Sequence, residues 1–279
     1  MTRGRLSLTL LTLVGTLAFG AHVRAQDAGT ATARATPFEI TDNSFFVEEA
    51  FNQERGVVQN IFTWTRCSGC GWEGSVTQEW PAPSMTHQLS YTVPFDGGTG
   101  GAHVGGVLLN YRFQAITEGD RRPAFSPRLS LILPTGRTDD AGDRPGLQVN
   151  LPISKQVGDI YLHGNAGVTW LHGAPLGSST TNLTSPQVAG SLIWRMQPMW
   201  HLMFESVVSF DDAVRDTARG PAAGRVSTVL ISPGVRGGWN VGDTQWVIGA
   251  AVPLTMSGGN TSAALLTYLS YELPFRKTP

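Results

Sequence analysis

The sequence is short of long apolar runs, of charged residues and of cysteine. Beyond residue 25, no apolar run approaches the roughly 20 residues that a membrane-spanning helix needs. Charged residues make up 15% of the chain, against about 25% in soluble globular proteins. The net charge of −1 gives no basis for nucleic-acid binding. If the mature chain enters a membrane, it must do so as a closed β-barrel, because open sheet edges are unstable in lipid.

The first residues have the features of a secretory signal peptide. Arg3 and Arg5 precede a short apolar run and a small-residue cleavage site. The sequence therefore predicts three parts: a signal peptide over 1–25, an N-terminal segment over 26–56 and a barrel over 57–279. The N-terminal segment lies either in the periplasm or as a plug in the lumen, and the sequence does not choose between these.

From residue 57 onward, strand-like runs alternate with turn residues. They are 57–65, 72–80, 87–95, 103–116, 124–134, 146–156, 160–171, 185–197, 200–210, 225–239, 244–256 and 264–275. In several of these runs, apolar and polar residues alternate, as expected for strands with two different faces. Runs of about 9 to 11 residues suit tilted strands that cross a bilayer. The pattern predicts an all-β, transmembrane antiparallel barrel of about 12 strands.

The connections between these runs also favour a barrel in the outer membrane of a bacterium. Predicted outer connections such as 172–184 and 211–224 are longer than any of the inner ones, as in outer-membrane barrels. The last run, Leu265 to Phe275, alternates strongly and is similar to the C-terminal strands by which the barrel assembly machinery recognises its clients. We therefore expect a monomer that contacts outer-membrane lipid and is inserted through this strand.

Several short stretches occur in the order seen in a known family. They are Ser44 to Glu54, Gln78-Glu79-Trp80-Pro81, His87 to Tyr91, Leu131 to Gly136, Gly146 to Leu151 and Ile231 to Arg236. In these stretches the chain resembles the outer-membrane transporters of the phenol-degradation MetA-pathway type. The resemblance implies a small barrel that passes small solutes, hydrophobic or aromatic ones included. It implies no catalytic residues.

The two cysteines form a Cys67-Ser68-Gly69-Cys70 motif in the first outer loop. The motif lacks the strand-to-helix context of a redox site, and position 71 is glycine rather than the histidine of a haem attachment site. In an oxidising compartment we expect a Cys67–Cys70 disulfide that pins the loop, with a free or metal-binding pair as the alternatives. No cofactor and no metal site is predicted, since the acidic loop clusters match no defined calcium loop.

Alternation places a set of charged side chains toward the lumen. They are Glu79, Arg112, Arg128, Arg195, Glu205, Arg236 and Glu272. Such charges cannot face lipid, where each would cost about 2–4 kcal/mol near the midplane. Two interpretations remain open: an ion-pair network that fills and braces a narrow barrel, or a constriction that selects solutes.

The sequence thus predicts a channel or transporter for small solutes, with the inward charges setting selectivity. A barrel hydrolase is an alternative, although no Gly-x-Ser-x-Gly motif and no evident Ser–His pair supports it. A structural or surface-binding barrel without transport is a third possibility. We therefore expect that the protein is not an enzyme.

Overall fold

The computed structural model describes residues 40, 42, 44–67, 71–98, 100–136, 143–218, 220–242 and 244–275. The predicted signal peptide lies outside these ranges. No described residue belongs to a helix that is long and apolar enough to cross a membrane.

Within these ranges, fifteen extended runs form twelve antiparallel strands, because three strands are each interrupted once. The strands are β1 (Val57–Cys67), β2 (Gly71–Pro81), β3 (His87–Gly98), β4 (Gly101–Val104 and Val107–Phe113), β5 (Ala124–Phe125 and Arg128–Leu133), β6 (Gly146–Val157), β7 (Ile160–Leu176), β8 (Ser179–Gln197), β9 (Trp200–Thr217), β10 (Gly220–Val241), β11 (Thr244–Ala251 and Leu254–Ser257) and β12 (Asn260–Pro274). The interruptions contain glycine or proline, which weaken or block a strand ladder.

The sheet closes on itself. Each strand pairs with the next along the chain, and β1 pairs with β12 from Val57↔Pro274 to Cys67↔Ala264. We call the end that carries Val57 and Pro274 the inner end, since the sequence predicts that it faces the periplasm. The prediction of an all-β closed barrel of about 12 antiparallel strands is confirmed.

The barrel has its apolar side chains outside and its polar side chains inside. On β6, Leu147 and Leu151 are 44% and 41% exposed, whereas Gln148 and Asn150 on the same strand are 1% and 2% exposed. A soluble protein buries its large apolar residues, so this inverted pattern requires lipid around the barrel. The closed, lipid-facing wall confirms the prediction of an outer-membrane barrel at the level of the fold.

The outer connections differ from the prediction. The predicted loops 172–184 and 211–224 are largely strand, because β7 and β8 pair up to Leu176↔Ser179, and β9 and β10 pair up to Thr217↔Gly220. These stretches are rich in Gly, Ala, Ser and Thr, which read as loop residues in isolation. The neighbouring strand supplies their hydrogen bonds. The prediction of two long outer loops was therefore wrong, and the barrel extends at its outer end as two long hairpins.

Candidate functional site in the barrel lumen

Residues 44–53, which we name the luminal segment, lie inside the barrel. Apart from the half-buried Phe46, each of these residues is exposed by no more than 7%. The chain enters at the inner end, where the Ile40 amide donates a hydrogen bond to the Pro198 carbonyl (3.3 Å) between β8 and β9. It returns to the inner end and continues directly into β1. The luminal segment forms neither helix nor strand and occupies the inner part of the lumen.

Glu205 of β9 binds the backbone at the start of the luminal segment. One carboxylate oxygen accepts the amides of Phe46 (2.8 Å) and Val47 (3.0 Å), and the other accepts the amide of Phe45 (3.2 Å). Glu205 is fully buried. Buried amides need a hydrogen-bond partner, and these three have no strand to pair with. A single wall carboxylate therefore holds a three-residue stretch of the segment.

Glu48 is the counter-ion of two wall arginines. Its carboxylate accepts hydrogen bonds from Arg112 Nη1 (3.2 Å), Arg128 Nε (2.8 and 2.9 Å) and Asn150 Nδ2 (2.5 Å). Arg112 and Arg128 are directly opposite each other on β4 and β5. All four side chains are buried. Two adjacent buried cations would repel each other, so the shared carboxylate is what makes this arrangement stable.

Asp42 ties the chain before the luminal segment to the far wall. Its carboxylate accepts hydrogen bonds from Gln59 Nε2 (2.7 Å), the Tyr268 hydroxyl (2.6 Å) and the Ser270 hydroxyl. Its carbonyl accepts a hydrogen bond from Arg236 Nη1 (2.5 Å). Because these partners belong to β1, β10 and β12, the chain is held on the side of the barrel opposite to Glu48.

Phe45 is seated against glycines of the wall. Its ring centroid lies 5.1 Å from that of Tyr268. A Cβ atom built on Gly249 would lie 2.7 Å from Phe45 Cε1, and one built on Gly234 would lie 3.0 Å from Phe45 Cε2. A Cβ atom at Gly249 would overlap the ring and one at Gly234 would crowd it, so glycine at these two positions of β11 and β10 makes room for Phe45.

The structure brings together a serine, a histidine and a glutamate, which bears on the hydrolase alternative. Ser154 Oγ lies 2.8 Å from His163 Nδ1, and His163 Nε2 lies 3.5 Å from Glu49 Oε1. The serine hydroxyl is buried and accepts the Ala50 amide (2.8 Å). Burial raises the pKa of the Glu49 carboxyl, which the charge of His163 opposes. Since Glu49 and Ala50 belong to the luminal segment, moving the segment to admit a substrate would dismantle the trio, so we interpret it as a docking contact.

Glu79 and Glu272, two further candidates from the sequence, reach the luminal segment through its glutamine. Gln53 Nε2 donates a hydrogen bond to Glu272 (3.1 Å), and the Gln53 amide donates one to Gln88 Oε1 (2.6 Å). Gln88 in turn donates a hydrogen bond to Glu79 (2.8 Å). These contacts fix the end of the segment to β2, β3 and β12. The candidates Glu79, Glu205 and Glu272 are thus brought together with the segment.

Other candidates lie away from this cluster. Arg195 is at the inner end of β8, where its guanidinium binds Asp159 in the turn between β6 and β7 (2.7 Å), a residue whose side chain is 63% exposed. It is therefore a residue of the inner rim rather than of the buried lumen. Cys67 ends β1, and Cys70 lies outside the described residues. The Cys67–Cys70 disulfide stays a prediction.

The wall outward of the Glu48 ion pairs has two further layers across β4 to β8. The first layer carries amides and hydroxyls: Asn110, Ser130, Gln148 and Thr169. Arg128 donates hydrogen bonds to the first three of these, and Gln148 donates one to Thr169 (2.8 Å). The outermost layer is a buried apolar cluster: Leu108, Ile132, Leu171, Ala174 and Leu183. On this side of the lumen, the wall thus changes from charged to polar to apolar toward the outer end.

Sequence reasoning missed the acidic residues that complete the site. Asp42, Glu48 and Glu49 lie in a stretch without strand alternation, where nothing local indicates which way they point. One signal was available: Arg112 and Arg128 occur on neighbouring inward faces without an acidic residue beside them on either strand. Two buried arginines require an anion, and the nearest source outside the wall is the N-terminal stretch.

Comparison with known proteins identifies the fold. No protein-family model matches the sequence, and no curated protein matches it. The structure is similar to the COG4313 outer membrane channel from Pseudomonas putida F1, with a TM-score of 0.55 and 12% identity over 80% of this chain and 97% of that one. It is also similar to the NanC porin, with a TM-score of 0.51 and 8% identity over 77% of this chain and 100% of that one. At these identities the similarity shows the outer-membrane barrel fold alone.

Proposed function

We propose that the protein is an outer-membrane channel for small solutes and that the luminal segment is its gate. The observation that carries this proposal is the way the segment is held. Side chains of the wall bind it, chiefly Glu205, Arg112 and Arg128, and no strand ladder joins it to the barrel. Such contacts can be exchanged for water or solute without opening the sheet, so the gate can move while the barrel stays closed.

The layers of the lumen support passage of solutes that have both polar and apolar parts. Amide and hydroxyl side chains line the lumen next to the gate, and Leu108 and Ile132 belong to an apolar cluster nearer the outer end. A solute on its way to the gate would have to pass this buried apolar cluster, which favours hydrophobic or aromatic solutes, as the resemblance to the MetA-pathway transporters implies. We include membership of that family in the proposal. We further propose a monomer, inserted through β12 by the barrel assembly machinery, without enzymatic activity.

Swelling of proteoliposomes tests the proposal. The variant Glu205→Ala removes the acceptor of three segment amides, so we expect faster swelling in a small solute such as glycine than with the wild-type protein. Ser209→Ala is the matched control, because Ser209 also faces inward on β9 but hydrogen-bonds to Asp211 (2.6 Å). Swelling of the control should equal that of the wild type.

The same experiment separates a channel from a structural barrel. If Glu205→Ala releases the segment and still admits no solute, the lumen is not a pathway and the channel proposal is wrong. A barrel that only binds at its surface would give that result. Release of the segment is measured independently, by hydrogen exchange of residues 45–47.

A further inference from the structure

The ion pairs around Glu48 have the form of an occupied anion site. The two cations and the amide donor, Arg112, Arg128 and Asn150, belong to three consecutive strands of the wall, whereas the carboxylate belongs to the luminal segment. Glu48 is separated from its partners by 64, 80 and 102 residues along the chain. The wall thus supplies every donor, and the movable element supplies the anion.

Arg128 is held in place by the wall itself. Its Nη1 donates a hydrogen bond to Asn110 Oδ1 (3.0 Å) and its Nη2 donates one to Gln148 Oε1 (2.8 Å). These contacts do not involve the luminal segment, so the guanidinium keeps its orientation when Glu48 leaves. Its Nε then points at the position that Glu48 occupied. A donor fixed before the ligand arrives loses little entropy on binding.

Unused hydrogen-bonding capacity remains at the same place. Among the described residues, Arg112 Nη2 and Asn150 Oδ1 are buried and have no hydrogen-bond partner. Once Glu48 departs, two directly opposed guanidinium groups would also lose the carboxylate to which both donate hydrogen bonds. Such a site should bind an anion strongly. A carboxylate fits it, because its two oxygens can accept hydrogen bonds from the two planar guanidinium groups.

We propose that Arg112, Arg128 and Asn150 form a carboxylate-binding site for the transported solute, in which Glu48 acts as a tethered competitor. The solute class is a small organic monocarboxylate with an apolar body, since Leu108 and Ile132 lie four residues outward on the same strands, about 13 Å between Cα atoms. The Arg128 guanidinium extends toward them, because it binds Asn110 and Gln148 in the layer between. Binding of the solute displaces Glu48 and thereby opens the gate. This inference rests on the proposed channel function.

The probe is 3-phenylpropanoate, compared with the neutral 3-phenylpropanamide at equal ionic strength. With the wild-type protein in detergent, we expect the carboxylate to speed hydrogen exchange in residues 44–53 at least tenfold, and the amide to leave it unchanged. This measurement needs no variant, so a folding defect cannot obscure it. Equal effects of the two probes, or no effect of either, would overturn the proposal.

Calorimetric titration of two matched variants tests the competition. Glu48→Gln removes the tethered anion, so we expect its Kd for 3-phenylpropanoate to fall at least tenfold below that of the wild type. Glu54→Gln removes the same charge from an exposed residue just beyond the segment and should leave the Kd unchanged. Identical dissociation constants for the two variants would contradict the competition.

Failure of this inference differs from failure of the channel proposal. If Glu205→Ala passes solutes but acid and amide enter at the same rate, the channel stands and the carboxylate site is wrong. If 3-phenylpropanoate binds in competition with Glu48 but no variant passes any solute, the site stands and the channel is wrong. Acetate as a third probe tests the apolar layer, and we expect it to bind at least tenfold more weakly than 3-phenylpropanoate.

Discussion

Replacing Glu205 by alanine should release the luminal segment without unfolding the barrel. The variant leaves the amides of Phe45, Phe46 and Val47 without the acceptor that they share at 2.8–3.2 Å. A hydrogen bond contributes about 1 kcal/mol net, so the loss of three weakens docking by about 3 kcal/mol. This corresponds to a roughly 100-fold increase in the ratio of undocked to docked segment.

Hydrogen exchange followed by mass spectrometry measures this ratio. Exchange of residues 45–47 should accelerate about 100-fold in Glu205→Ala, while exchange in β9 and β10 stays as in the wild type. Glu205→Gln keeps one acceptor oxygen and should give an intermediate rate. If residues 45–47 exchange at the wild-type rate in a folded Glu205→Ala barrel, then Glu205 does not hold the segment and the reasoning about the gate fails.

Three other changes test separate parts of the structure. Gly249→Ala places a methyl group against the Phe45 ring, which should weaken docking by about 1–3 kcal/mol and speed exchange at residue 45. Leu131→Arg puts a charge on the lipid-facing side of β5, where Leu131 is 45% exposed. It should destabilise the barrel by up to about 2–4 kcal/mol, as measured by denaturant-dependent folding into lipid bilayers. Alkylation of Cys67 and Cys70 should require prior reduction, as followed by the mass shift.

Each of these changes has a control or an opposing outcome. Gly224→Ala adds the same methyl group where no atom lies within 4 Å, so it should leave the segment unaffected. Thr180→Arg adds the same charge to the exposed outer end of β8 and should not change barrel stability. Labelling of both thiols without reductant would show that the disulfide is absent.

Local pattern was enough to predict the wall. Period-two alternation, which depends only on neighbours in the sequence, predicts that four charged side chains face the lumen: Arg112, Arg128, Glu205 and Arg236. Arg195 follows the same alternation, since it lies on the inward parity of Ser191 and Ile193, but at the inner end of β8 it is only partly buried and binds Asp159 in the rim. Alternation therefore predicts the face on which a side chain lies, but not how deeply it is buried along the barrel axis.

The sequence by itself determined that a closed barrel forms, since inverted polarity and the lack of apolar runs leave no other stable form in lipid. Only the tertiary structure decided what fills that barrel. The partner of Arg128 lies 80 residues away in a stretch with no strand or helix pattern, and Phe45 meets Gly249 across the lumen. These contacts join the barrel wall to a segment whose sequence has no periodic pattern. The pattern of neighbouring residues therefore cannot predict them.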